Sequence, residues 1–114
     1  MHELGTIVYV MDTVEKICTE QNLIKVGSIT LEVGEVSAIL PEYLIDYFNW
    51  AKKKNSLFED CELRVEELKA ITFCQDCHKT YPTVEYGKEC PHCHSVNTFL
   101  VTGNEYNIKQ IEAM

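Results

Sequence analysis

The sequence predicts a small α/β fold: a sheet of about three strands packed with two helices, with an inserted zinc-ribbon-like lobe before the last strand. Three observations carry that expectation. Two stretches repeat their apolar residues at helical steps, two others alternate apolar with polar, and four cysteines stand as two Cys-x-x-Cys pairs. Those pairs, Cys74 with Cys77 and Cys90 with Cys93, are separated by the 12 residues His78 to Glu89.

The first helix is read from Leu4, Ile7, Val8, Met11, Val14 and Cys18, with Asp12, Glu15, Lys16 and Glu20 on the other side, and is expected to end near Gln21-Asn22. Ile29, Leu31 and Val33 then alternate with Ser28, Thr30 and Glu32, the period of a strand with one wet face, closed by Gly34-Glu35. Pro41 and Glu42 open a second helix whose apolar face is Leu44, Tyr47, Phe48 and Ala51. Lys52 to Lys54 suit its C-terminal dipole, and Asn55-Ser56 should stop it. A second strand follows from Cys61, Leu63 and Val65 against Glu62, Arg64 and Glu66. Ile71 to Phe73 lead into the first cysteine pair, Phe99 to Val101 leave the second, and Tyr106 with Ile108 marks a last strand rejoining the sheet. The expected division is residues 1–72 and 99–114 as an α/β domain and residues 73–98 as a metal-binding one.

Composition narrows the function. The 114 residues carry a formal net charge of -8, with 46% hydrophobic and 25% charged residues, the balance of an ordinary globular protein. An acidic chain lacks the electrostatic footprint of a nucleic-acid binder. No apolar run approaches about 20 residues, so no membrane span is expected. The start Met1-His2-Glu3-Leu4 has no basic and apolar leader. A reducing, cytoplasmic home is the expectation, and there six cysteines are metal ligands or buried thiols rather than disulfides.

Two Cys-x-x-Cys turns facing each other supply the four-sulfur tetrahedron that structural Zn(II) prefers, which assigns Cys74, Cys77, Cys90 and Cys93 as its ligands. Iron in a rubredoxin-like site is the chemical rival, and redox dithiols are a weaker one. Each pair is followed by histidine, His78 and His94. Read literally this is the haem-attachment signal, but that needs export, and two haems would crowd so short an insert. The two histidines are candidate alternative zinc ligands or tuners of the thiolates, against the plain reading of solvated imidazoles. Cys18 and Cys61 fall on apolar faces and read as small buried hydrophobes. No nucleophile elbow, phosphate loop or His-Glu-x-x-His motif occurs, so the chain does not read as an enzyme.

His2 is the unusual residue. Beside a free amino terminus it can chelate a metal through the Met1 amine, its own deprotonated amide and its imidazole, with the amide or carboxylate of Glu3 completing a square. That geometry selects Ni(II) or Cu(II) over zinc. The plain alternative is a frayed polar terminus, against which the helix begins at once.

Taken with Val33-Gly34-Glu35-Val36-Ser37, Pro41-Glu42, the cysteine spacing and the closing Gly103-Asn104-Glu105, the opening Met1-His2-Glu3 resembles the HypA/HybF family of hydrogenase nickel-incorporation proteins over essentially the whole chain. The resemblance implies a metallochaperone that delivers Ni(II) for [NiFe]-hydrogenase maturation, with a nickel-handling GTPase and the hydrogenase large subunit as partners. It also implies His2 as principal nickel ligand with the Met1 amine and Glu3 around it, and structural zinc on the four cysteines. In some bacteria related proteins also serve urease, which would add urease accessory proteins as partners, and there histidines beside the cysteines are linked to altered zinc ligation. Many relatives carry glycine where this chain has His78 and His94. The alternative reading is a non-enzymatic zinc-ribbon adaptor that binds protein or nucleic acid and leaves His2 idle.

Overall fold

The computed structural model describes residues 2–114, with His2 described by its backbone alone. The elements run α1 (His2–Glu20), β1 (Val26–Gly34), α2 (Pro41–Ala51), two single 3-10 turns (Lys52–Lys54 and Ser56–Phe58), β2 (Glu62–Leu68), β3 (Ile71–Cys74), β4 (Thr80–Pro82), the one-turn α3 (Thr83–Tyr86), β5 (Thr98–Thr102) and β6 (Tyr106–Ala113). They form two three-stranded sheets, ordered β2-β1-β6 and β4-β3-β5. The mixed α/β class with a cysteine-bearing lobe is as the sequence reads. The strands are twice as many as expected, because the lobe builds a sheet of its own.

The first compact unit comprises Met1–Glu32, Ile39–Glu66 and Asn107–Met114. Its core joins Ile7, Val10, Met11, Val14 and Cys18 of α1 to Ile29 and Leu31 of β1, Leu44 and Phe48 of α2, and Phe58. Val10 belongs to the buried stripe and Val8 does not: Val8 is 50% exposed. Helix α1 ends where expected, at Asn22, whose φ of 58° is the left-handed cap that asparagine tolerates. There Leu23 N–H donates to Cys18 C=O (2.8 Å) and Asn22 N–H to Thr19 C=O (3.4 Å), the paired bonds of a Schellman stop.

The expected wet face of β1 is covered. Ser28 and Thr30 are only 3% and 6% exposed. The cause is the sheet order. With β1 in the centre, ion pairs between its flanking strands must pass over it: Arg64 to Glu112 at 3.3 Å and Lys109 to Glu66 at 2.7 Å. The Ser28 hydroxyl donates to the same Glu112 at 2.6 Å. Small hydroxyl residues fit under such a roof where larger ones would break it.

The second unit comprises Val33–Ala38 and Glu67–Tyr106. It is wider than the expected 73–98 insert because β3 pairs antiparallel with both β4 and β5, so the strands entering and leaving the cysteine pairs hold each other. The segment Val33–Ala38 joins it through the backbone. Gly34 N–H donates to Glu105 C=O, Glu35 N–H to Leu68 C=O and Val36 N–H to Gly103 C=O, each at 2.8 Å. The Glu35 carboxylate accepts from Ala70 N–H at 2.9 Å.

Glu105 ties the other side of this junction, accepting from Gly103 N–H (2.9 Å) and the Thr102 hydroxyl (2.8 Å). Those two donors, the Gly103 amide first, hold its carboxyl below the usual range. A depressed folded-state pKa stabilises above the unfolded value and stops doing so as pH falls through the folded one. Acid titration of the wild type should therefore show a loss of stability below the ordinary glutamate range, near about 4.3, that Glu105→Gln lacks. Identical acid limbs for the two proteins, followed by circular dichroism, would count against this role.

Candidate metal centres

The two cysteine knuckles are built alike. In the first, Cys74 N–H donates to Lys79 C=O (2.9 Å) and His78 N–H to Cys74 C=O (2.9 Å); in the second, Cys90 N–H donates to Ser95 C=O (2.9 Å) and His94 N–H to Cys90 C=O (2.8 Å). Each turn closes with its histidine in the left-handed region, φ 62° at His78 and 63° at His94. Glycine takes that conformation without cost, and histidine is among the residues that tolerate it. The two turns are clamped together by Asp76, whose carboxylate accepts from the Ser95 hydroxyl and from Asn97 Nδ2 (3.4 Å), while Gln75 N–H donates to Asn97 C=O (3.0 Å).

The clamp brings the four sulfurs to within 4.8 Å of one another. Cys74 Sγ lies 3.6 Å from Cys93 Sγ, and Cys77 Sγ lies 3.6 Å from Cys90 Sγ. A tetrahedron with metal–sulfur bonds of about 2.3 Å has edges of about 3.8 Å, so the cluster fits Zn(II). Its protonation behaviour points the same way. The Cys77 backbone N–H, seconded by that of Asp76, draws the Cys74 thiol down to about 7 against the effect of burial. The Ser95 backbone N–H pulls Cys93 down too, but burial and the three neighbouring sulfurs push it up to about 12. Thiolates this close repel one another, and a divalent cation would supply the compensating charge.

Cys74 and Cys90 are buried, Cys77 is half-buried and Cys93 is exposed. The buried pair forms, with Tyr81, the small core of this lobe, and the Tyr81 hydroxyl donates to Gly87 C=O at 2.9 Å. Neither neighbouring histidine is among the four clustered ligands. The His78 ring packs edge-on against Phe73 at 6.0 Å, and His94 Nδ1 lies 3.6 Å from a Glu89 carboxylate oxygen. Cys18 and Cys61 are buried in the first unit, and burial pushes the Cys61 thiol up to about 11, which makes it inert.

At the other candidate centre, Met1 and the His2 side chain lie outside the described residues. What is described is their setting. Helix α1 begins at His2, and Glu3 is the acidic residue of its first turn. The Glu3 Oε2 atom accepts from Leu40 N–H at 3.2 Å. Leu40 is the residue that caps α2, has no side-chain cap of its own, and precedes Pro41 at the helix start. Glu3 thus pins the first turn of α1 to the start of α2. Sequence reasoning offered Glu3 as a ligand and gave no sign of this tether, which joins residues 37 positions apart.

Fold and cluster together define a small α/β protein with a four-cysteine cluster that could hold a metal ion. Residues 1–113 match the HypA family model, described as hydrogenase/urease nickel incorporation, metallochaperone, and the chain belongs to that family. Among its relatives, the hydrogenase maturation factor HypA of Actinobacillus succinogenes is 29% identical, the match covering 97% of each chain. That of Psychromonas ingrahamii is 31% identical over 98% of this chain and 97% of its own. The solution structure of the Ni metallochaperone HypA from Helicobacter pylori shares the fold, with a TM-score of 0.73 at 21% identity over 98% of this chain and 97% of that one.

Proposed function

We propose that the chain is a metallochaperone that carries Ni(II) at its amino terminus and delivers it for maturation of a [NiFe]-hydrogenase. Urease is a second client that the family description allows. The Met1 amine, the His2 amide and imidazole, and Glu3 bind the ion. The four cysteines hold a structural Zn(II) that fixes the lobe of residues 73–98.

The observation that supports this reading best is the start of α1 at His2. The first N–H groups of a helix have no intrahelical acceptor, so deprotonating the His2 amide for nickel breaks no helix bond. The positive end of the helix dipole also lowers the cost of that deprotonation. Glu3 keeps its second carboxylate oxygen, Oε1, while Oε2 holds Leu40. Release is then cheap, since a terminal site breaks few packed contacts when it gives up its ion.

In this reading the chain is a carrier without catalytic chemistry and works in the cytoplasm. Its partners are a nickel-handling GTPase and the hydrogenase large subunit, with urease accessory proteins where urease is served. The net charge of -8 argues against nucleic acid. His78 and His94 act as exchange ligands when a thiolate leaves the zinc, for which His78 must quit Phe73 and His94 must quit Glu89. His2→Ala tests the nickel site: titration calorimetry is expected to show Ni(II) affinity falling by at least about a hundredfold, roughly 2.7 kcal/mol. An unchanged affinity, with salt-sensitive RNA or DNA binding, would favour the zinc-ribbon adaptor instead.

A further inference from the structure

Helix α2 carries an exposed aromatic row. Tyr43, Tyr47 and Trp50 follow one another at steps of four and three, which sets them in a row along one side of the helix. The adjoining row, Leu44 and Phe48, is buried, whereas Tyr43 and Trp50 are 50% and 54% exposed. Beside them runs a groove of about 380 Å³ lined by Leu4, Asp46, Tyr47 and Trp50.

The row ends at Lys52, Lys53 and Lys54. Lys52 Nζ is committed to Cys61 C=O at 3.1 Å, and Lys54 Nζ stands 3.9 Å over the Trp50 ring, while Glu59 borders the recess beside all three lysines. None of the three makes an ion pair among the described residues, although Lys25, Arg64, Lys69 and Lys109 all do. On a chain of net charge -8, three successive cations make a local positive run at this end of the row.

Exposed Trp and Tyr dominate the energy of protein interfaces, and a cation stacked on Trp50 holds that ring in place in advance. An apolar groove along a helix with cations at one end matches an amphipathic helix that carries acid. We infer that the face running from Leu4 and Tyr43 to Lys54 docks an acidic amphipathic segment of a partner protein, its apolar side chains in the groove and its carboxylates against Lys53 and Lys54. A plane of anionic lipid, or a second copy of the chain with its own net charge of -8, would bring many like charges up to an acidic protein, whereas a single short helix brings only its own carboxylates. The inference goes beyond the nickel reading and stands on the exposed face whether or not His2 binds nickel.

Trp50 is the only tryptophan in the chain, so its emission reports on this face alone. The full-length protein is titrated with a synthetic helical peptide of about 14 residues, roughly four turns, bearing Leu on one face and Glu on the other. The same peptide with Lys for Glu, and phosphatidylserine vesicles, are run beside it. The Glu peptide is expected to shift Trp50 emission to the blue saturably, and the double variant Lys53→Glu/Lys54→Glu to bind it at least about tenfold more weakly, with each shift taken from that protein's own free spectrum. Should the double variant misfold by circular dichroism, Lys53→Gln/Lys54→Gln serves with the same expected loss. Absence of a shift, equal binding by the variant, or preference for the Lys peptide or the vesicles overturns the inference.

Discussion

Removing the metal from the four cysteines should melt the second unit and spare the first. The lobe's buried cluster is Cys74, Tyr81 and Cys90, with Cys77 packed against it, so three of its four members belong to the proposed metal site. So small a core does not offset the entropy of ordering the chain around it. Zinc bound to such sites contributes apparent free energies of about 10–16 kcal/mol at pH 7, which makes metal binding and folding of the lobe one event. The first unit owes nothing to the cluster: Ile7, Val14, Ile29, Leu44, Phe48 and Phe58 are all fully buried there. Amide exchange after chelation, or in Cys90→Ser, is expected to show protection lost across Ile71–Cys74 and Thr98–Thr102 and kept in the α1 core. Protection that survives in β3 and β5 without metal would refute the dependence.

The second large effect is expected at Gly34, where the two motif segments cross. A Cβ there would fall on the Gly103 carbonyl and come 2.7 Å from Asn104 N, backbone atoms that cannot swing aside as a side chain would. Gly103 is caught between this contact and Ala70, and it holds a φ of 118° that an L side chain rarely adopts. Gly34→Ala must therefore either break the Gly34–Glu105 and Val36–Gly103 hydrogen bonds or displace β3 with its cysteine. The cost is expected at about 3 kcal/mol, the upper part of the range for overpacking. At about 4 °C per kcal/mol for a chain of this size, the midpoint of thermal unfolding should drop by about 12 °C. Gly5→Ala is the matched control, since a Cβ there meets nothing within 4 Å. Equal midpoints for Gly34→Ala and Gly5→Ala would remove the crossing from the account.

Features that depend on near neighbours were legible in the sequence. Asn22 stops α1, Pro41 starts α2, Cys61 to Arg64 alternate buried and exposed, and the cysteine spacing implies two facing turns. What the sequence hid is non-local. Nothing around Ser28 and Thr30 signals that charges on β2 and β6 will close over them, because that depends on β1 lying between those strands. Nothing near Phe99 says that β5 pairs with β3 and so enlarges the lobe. Val8 and Val10 are equivalent to a helical count, and only the position of the packing partners decides which is buried. The segments around Gly34 and Gly103 could be recognised as marks of a family, yet their physical reason, that two backbones touch there, needs coordinates. His2 was legible as a chemical type, and its neighbour Glu3, which the structure tethers to Leu40, was legible only as an acid.

The central claim, that nickel is held by the chain's own amino terminus and not by its cysteines, is tested most directly by moving that terminus. Ni(II) titration calorimetry on the zinc-loaded native chain is compared with the same chain carrying a Gly-Ser pair ahead of Met1, which leaves every residue in place but takes the amine away from His2. The account predicts that the native chain binds one nickel while retaining its zinc, and that the extended chain binds it at least about a hundredfold more weakly. Equal affinity for the two chains, or nickel uptake that expels the zinc, would contradict it.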